Sequence, residues 1–136
     1  NGDEYVGQFL NGQQEGQGTF TWANGAVYDG QWSKNQRSGT GKYKWANGDE
    51  YEGQWKNNMA EGEGVLHMAD GSVYTGSFVR GKEEGKGVLI EKDGTRFEGF
   101  FKQGKKDGPF VEMDANGNIV RKRTFSCGCE WGIEIK

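Results

Sequence analysis

Residues 51–71 read YEGQWKNNMAEGEGVLHMADG, and the fold is decided there. Tyr51, Gly53 and Trp55 take alternate positions, with Glu52 and Gln54 between them. Period two marks a strand with one aromatic face and one polar face. Gly62 and Gly64 follow, and the stretch closes on Asp70-Gly71. An Asx-Gly pair between alternating segments signals a hairpin, because both turn residues take positive φ. A helix fails on the same residues, since each interior Gly costs roughly 1 kcal/mol.

The stretch recurs every 23 residues in both directions. Tyr5, Tyr28, Tyr51, Tyr74 and Phe97 are equivalent, as are Gly7, Gly30, Gly53, Gly76 and Gly99. So are Phe9, Trp32, Trp55, Phe78 and Phe101, and so are the closing pairs Asn24-Gly25, Asn47-Gly48, Asp70-Gly71, Asp93-Gly94 and Asn116-Gly117. Each unit is predicted to be two short antiparallel strands with a longer polar loop between them, such as Ser33 to Ser38. Rings and glycines share a face, so a ring can lie across bare neighbouring backbone and bury about 150–250 Å² without a second sheet. One hairpin is marginal alone, and stability must come from stacked neighbours. The expected fold is all-β: an elongated, single-layer antiparallel β-hairpin repeat rod, twisted into a trough, on the order of 50 Å long.

Residues 1–117 hold five full units, and residues 118–136 a degenerate sixth with a C-terminal cap. Gly108-Pro109-Phe110 puts Phe where a second Gly belongs, and Pro109 cannot donate to a ladder. Val120, Lys122 and Thr124 then stand where the aromatic, the Gly and the second aromatic are expected. The last stretch is apolar, with Phe125, Trp131, Ile133 and Ile135, and an apolar open sheet end is expected to form a homodimer contact. The opening Asn1-Gly2 reads as the turn of an earlier half-unit, so a longer array is expected.

Composition narrows the class. Only 32% of the residues are hydrophobic and 25 of the 136 are Gly, yet eight Phe, five Tyr and five Trp oppose disorder. A net charge of −3 excludes a strongly basic nucleic-acid binder. No run is apolar enough for a spanning helix, no targeting segment is visible, and a cytoplasmic protein is expected.

With these residues in view, the chain resembles the MORN (membrane occupation and recognition nexus) repeat family. The resemblance rests on the motif Tyr-x-Gly-x-Trp followed by spaced glycines, met by Tyr51, Gly53, Trp55, Gly62, Gly64 and Gly71. Asn35 and Asn58 stand in place of a loop Gly, and Asn tolerates the left-handed conformation. The resemblance implies a single-layer β-meander associated with cytoskeletal assemblies, cell-division structures and membrane junctions. A stand-alone array is most similar to the family's protist cytoskeletal scaffolds.

Candidate chemistry is sparse. His67 has no local orienting partner, and Glu61, Glu63, Glu83 and Glu84 read as solvated loop charges, so no catalytic or cofactor-binding residue is expected. Cys127-Gly128-Cys129 supplies two thiolates where structural zinc takes about four, so two chains meeting on a two-fold axis could bind zinc between them. An interchain disulfide and idle thiols are the alternatives. Tyr28, Trp32, Tyr51, Trp55, Tyr74 and Phe78 are candidates to line a trough for a partner's helix or strand. Otherwise these rings fill one another's gaps. Arg121, Lys122 and Arg123 form the basic cluster best suited to a weak contact with anionic lipid. The function expected is a scaffold of a cytoskeletal assembly, near membranes, dimerising through its C-terminal end and docking cytoskeletal or membrane-associated proteins. The alternative is a peripheral module binding anionic phospholipids.

Overall fold

A computed structural model describes residues 2–126 and 129–135, with side chains described as far as Phe125. Twelve strands follow in chain order: β1 Glu4–Leu10, β2 Gln13–Thr21, β3 Val27–Ser33, β4 Gln36–Lys44, β5 Glu50–Lys56, β6 Met59–His67, β7 Val73–Val79, β8 Lys82–Ile90, β9 Arg96–Lys102, β10 Lys105–Met113, β11 Ile119–Ser126 and β12 Cys129–Ile135. Each pairs antiparallel with the next in one sheet whose spatial order is the sequence order. The all-β, single-layer reading is correct. At about 4.8 Å per strand, the sheet extends on the order of 55 Å.

The two kinds of turn are the reverse of the sequence expectation. The expected long loop from Ser33 to Ser38 is a two-residue turn, in which Lys34 and Asn35 take φ of 50° and 67° between Ser33 and Gln36. Two positive φ values give a turn whose twist matches the strands. Asn57-Asn58 repeats it at 52° and 71°, so both Asn residues do adopt the left-handed conformation. Asn24-Gly25 instead sits in the five-residue connection between Thr21 and Val27. There Gly25 N donates to Trp22 O at 2.9 Å, and Asn24 Oδ1 accepts from Ala26 N at 2.9 Å. The Asn side chain closes its own loop, and Gly25 alone has positive φ.

The short turns also stitch each unit to the one before. Asn35 N donates to Gln14 O at 3.1 Å, while Asn35 Oδ1 accepts from Gln14 N at 2.7 Å. Asn58 makes the same pair with Arg37. Glu15, Glu61 and Glu84 accept from the turn amides of Lys34, Arg80 and Gln103. Glu61 and Glu84, half-buried loop charges, thereby also link one unit to the next.

The core lies on one face. Tyr28, Tyr51 and Tyr74 are fully buried. Each Tyr lies over the close-paired glycines of its own two strands: Gly30 faces Gly41 in the ladder, and a Cβ on Gly41 would fall inside the Tyr28 ring and hydroxyl. Tyr28 Oη donates to Gln31 O at 2.8 Å, and Tyr51 Oη to Gln54 O at 2.9 Å. The Trp residues cross the seam between units, Trp32 Nε1 donating to Gly18 O and Trp55 Nε1 to Gly41 O. Edge-to-face contacts continue the chain, Tyr28–Trp55 at 5.2 Å, Tyr51–Phe78 at 4.8 Å and Tyr74–Phe101 at 4.8 Å between centroids.

Candidate functional site

The ring face has two tiers. The lower tier holds the six residues expected to line a partner trough, Tyr28, Trp32, Tyr51, Trp55, Tyr74 and Phe78, and none is more than 7% exposed. They form the core, because neighbouring units pack ring edge against ring face, and of the six, Tyr51, Trp55 and Phe78 also border an open notch beside Ala60. Above them lie the half-buried Trp22, Tyr43, Leu66, Met68 and Leu89, with Trp45 38% exposed. This second tier is the more exposed part of the ring face.

Along it runs a column near the start of β4, β6, β8 and β10, 23 residues apart: Arg37, Ala60, Glu83 and Lys106. Arg37 lies over Trp22, Tyr28, Tyr43 and Trp55, with its Cζ 5.1–6.0 Å from the ring centroids. Its Nη2 donates to Asn58 O at 2.8 Å. Burial lowers the Arg37 pKa, opposed by its attraction to Tyr43 and Tyr28. Glu83, expected to be solvated, is half-buried, and desolvation raises its carboxyl above the ordinary range. Lys106 Nζ sits 3.7 Å from the Phe97 centroid and 5.0 Å from that of Phe125. Ala60 leaves a notch of about 200 Å³. Sequence reasoning missed this column. Its signal was a repeat position that holds Arg, Ala, Glu and Lys in turn while the glycine two residues on is kept.

The opposite face is polar in the early units. Gln8, Gln31 and Gln54 turn their Oε1 atoms onto the backbone N–H of Gln17, Thr40 and Glu63 at 2.7–2.8 Å, donors that the ladder irregularity leaves over. In the fifth unit the equivalent pair is Phe100 and Pro109, an acceptor lost opposite a donor lost. With Val111, Lys86, Glu98 and Lys122 they line a shallow cavity of about 520 Å³.

The basic triplet does not form one cluster. Arg121 and Arg123 point to the ring side, their Nε atoms 3.4 and 3.3 Å from the same Glu112 Oε1, while Lys122 lies exposed on the other face. Strand alternation splits any three consecutive residues in this way. His67 is exposed at the end of β6. Cys127 and the Cys129 side chain lie outside the described residues, and among the described ones no group of three or more His, Cys, Asp or Glu is placed to hold a metal. No helix among the described residues is long and apolar enough to cross a membrane.

Comparison with known proteins fits this geometry. The MORN repeat family model matches residues 5–27, 28–50, 51–73, 74–96 and 97–119, each starting at the aromatic that opens a unit. No curated protein matches. Among solved structures, the SAS-4 (dCPAP) TCP domain in complex with a proline-rich motif of Ana2 (dSTIL), from Drosophila melanogaster, is 16% identical over 89% of this chain and 84% of that one. Its TM-score of 0.36 is too low to carry an argument.

Proposed function

This chain belongs to the MORN repeat family, and from that premise we propose that it is a structural scaffold, a protein-interaction rod of a cytoskeletal assembly. The repeat is a non-enzymatic module. What supports the reading most is the two-tier ring face, in which a sealed core carries a continuous half-buried second tier from Trp22 to Leu89. Such a surface spreads recognition along the rod instead of converging polar groups on one reacting atom.

The C-terminal end, residues 118–136, is the proposed homodimer contact. β11 and β12 continue the sheet beyond the last matched repeat, and Ile119 and Val120 are exposed at 60% and 36%. Cys127 and Cys129 of two chains are proposed to meet there and hold zinc through four thiolates. Sedimentation tests the dimer: the whole chain is expected to run as a dimer and a chain ending at residue 117 as a monomer. Monomers in both cases refute it. Zinc binding is tested by replacing both cysteines with Ser, which is expected to abolish it. Anionic-lipid binding is the weaker reading, because the basic triplet divides between two faces and its two arginines share a carboxylate. Flotation with anionic vesicles at physiological salt would revive it.

A further inference from the structure

The notch at Ala60 has a template inside the same molecule. Arg37 rests on Trp22, Tyr28, Tyr43 and Trp55. Moved on by one repeat of 23 residues, those four positions become Trp45, Tyr51, Leu66 and Phe78, and all four line the notch. The carbonyl acceptor follows the same rule. Arg37 Nη2 donates to Asn58 O, and the equivalent residue, Gly81, also borders the notch. Ala60 thus lacks a long side chain where the preceding unit holds one, with the Trp and Tyr kept as Trp45 and Tyr51, Trp55 replaced by Phe78 and Tyr43 by Leu66.

We propose that this notch is a docking site for an arginine side chain of a partner protein, seated over Trp45, Tyr51 and Phe78 with its guanidinium directed at Gly81 O. At about 200 Å³ the space is below the roughly 300–1,000 Å³ of small-molecule sites, and suits one inserted side chain. The ring faces carry negative charge density and attract a planar cation. Arg37 also borders the notch, but its guanidinium is committed to four rings and to Asn58 O, and Glu83 is the next residue of the column after Ala60. Residues 1–96 are acidic, with 14 Asp and Glu against 10 Lys and Arg. A carboxylate guest would meet ring faces of the wrong sign. Arginine capture deepens the scaffold reading and rests on it for taking the guest to be part of a protein. It is independent of dimerisation, so failure of the sedimentation test leaves it intact.

The test is an NMR titration of the isotope-labelled whole chain with N-acetyl-arginine methylamide, followed at the Trp45 indole N–H and the Gly81 amide. Citrulline, neutral and of the same shape, is expected to bind between a few-fold and about thirtyfold more weakly, and norleucine likewise. Ala60→Arg, which copies the unit before, is expected to abolish the shifts at both probes. Arg37→Ala is expected to open a second site, seen as new shifts at the Trp22 indole. Equal binding of citrulline or norleucine, shifts that persist in Ala60→Arg, or no second site in folded Arg37→Ala would each overturn the proposal.

Discussion

The units built on Tyr28, Tyr51 and Tyr74 differ from the unit built on Phe97 in which strand supplies the core ring. In the Tyr units the ring comes from the first strand and lies over glycines of both, so a Cβ on Gly41, Gly64 or Gly87 would enter the Tyr. In the fifth unit the glycine position of the second strand holds Phe110, and a Cβ on Gly99 would meet Phe110 Cγ at 2.7 Å. Phe110 then makes the contacts that a Tyr makes elsewhere, edge-to-face with Phe101 at 5.1 Å and with Phe125 at 5.3 Å. Phe97 stays buried beneath the Lys106 ammonium. What the fold requires is one ring over bare backbone at each step, and either strand can provide it.

The comparison can be broken most severely at Phe110. Phe110→Gly should cost about 3–5 kcal/mol, as truncation of a buried ring does. Phe110→Gly with Phe97→Tyr rebuilds the earlier pattern and should recover more than half of that loss in chemical denaturation. If the double variant is no better than the single, the two arrangements are not interchangeable. Gly41→Ala should cost about 1–3 kcal/mol by overpacking, and much less when Tyr28→Ala has already removed the ring. Additive costs in that cycle would mean that ring and glycine do not compete for space.

Smaller effects sharpen the contrast on the polar face. Gln31→Ala removes the acceptor for Thr40 N and should cost about 1 kcal/mol. Phe100→Gln should restore nothing, because Pro109 has no N–H to offer. Equal responses would mean that the Gln clasp contributes no stability. The phenols separate the units by pH. Burial pushes Tyr28 and Tyr51 up to about 12, and Tyr74 also upward. The folded state holds these protons more tightly than the unfolded chain, whose phenols titrate near 10. Their stabilisation is complete below about pH 10 and is lost as pH rises through 12. Tyr28→Phe, Tyr51→Phe and Tyr74→Phe together should flatten the fall in denaturation midpoint between pH 9 and 11.5. An unchanged slope assigns it to other groups.

Much of this was legible in the chain. The 23-residue period, the two-residue alternation and the shared face of Tyr28, Gly30 and Trp32 contain the meander and its one-sided core. The turns were not, because Asn-Gly suits two geometries. Asn24 lends its side chain to a wider loop, while Lys34-Asn35 makes the tight turn without any Gly. Nor does alternation distinguish two tiers on one face. Tyr28 and Tyr43 sit opposite each other in the ladder, yet Tyr28 is sealed and Tyr43 half-buried. The column through Arg37 and Ala60 was hidden for a related reason: its importance lies in a side chain that is missing, and only the surroundings of Arg37 reveal what it would have filled.

The most direct test is the proton spectrum of the paired glycines. With a ring over the second-strand glycine, one α-proton each of Gly41, Gly64 and Gly87 should carry a ring-current displacement, and in the fifth unit Gly99 should carry it under Phe110. Tyr28→Ala should remove it from Gly41 alone among the three. Glycines whose two α-protons resonate as in an ordinary open strand, in the intact folded protein, would contradict the arrangement on which this single-layer sheet depends.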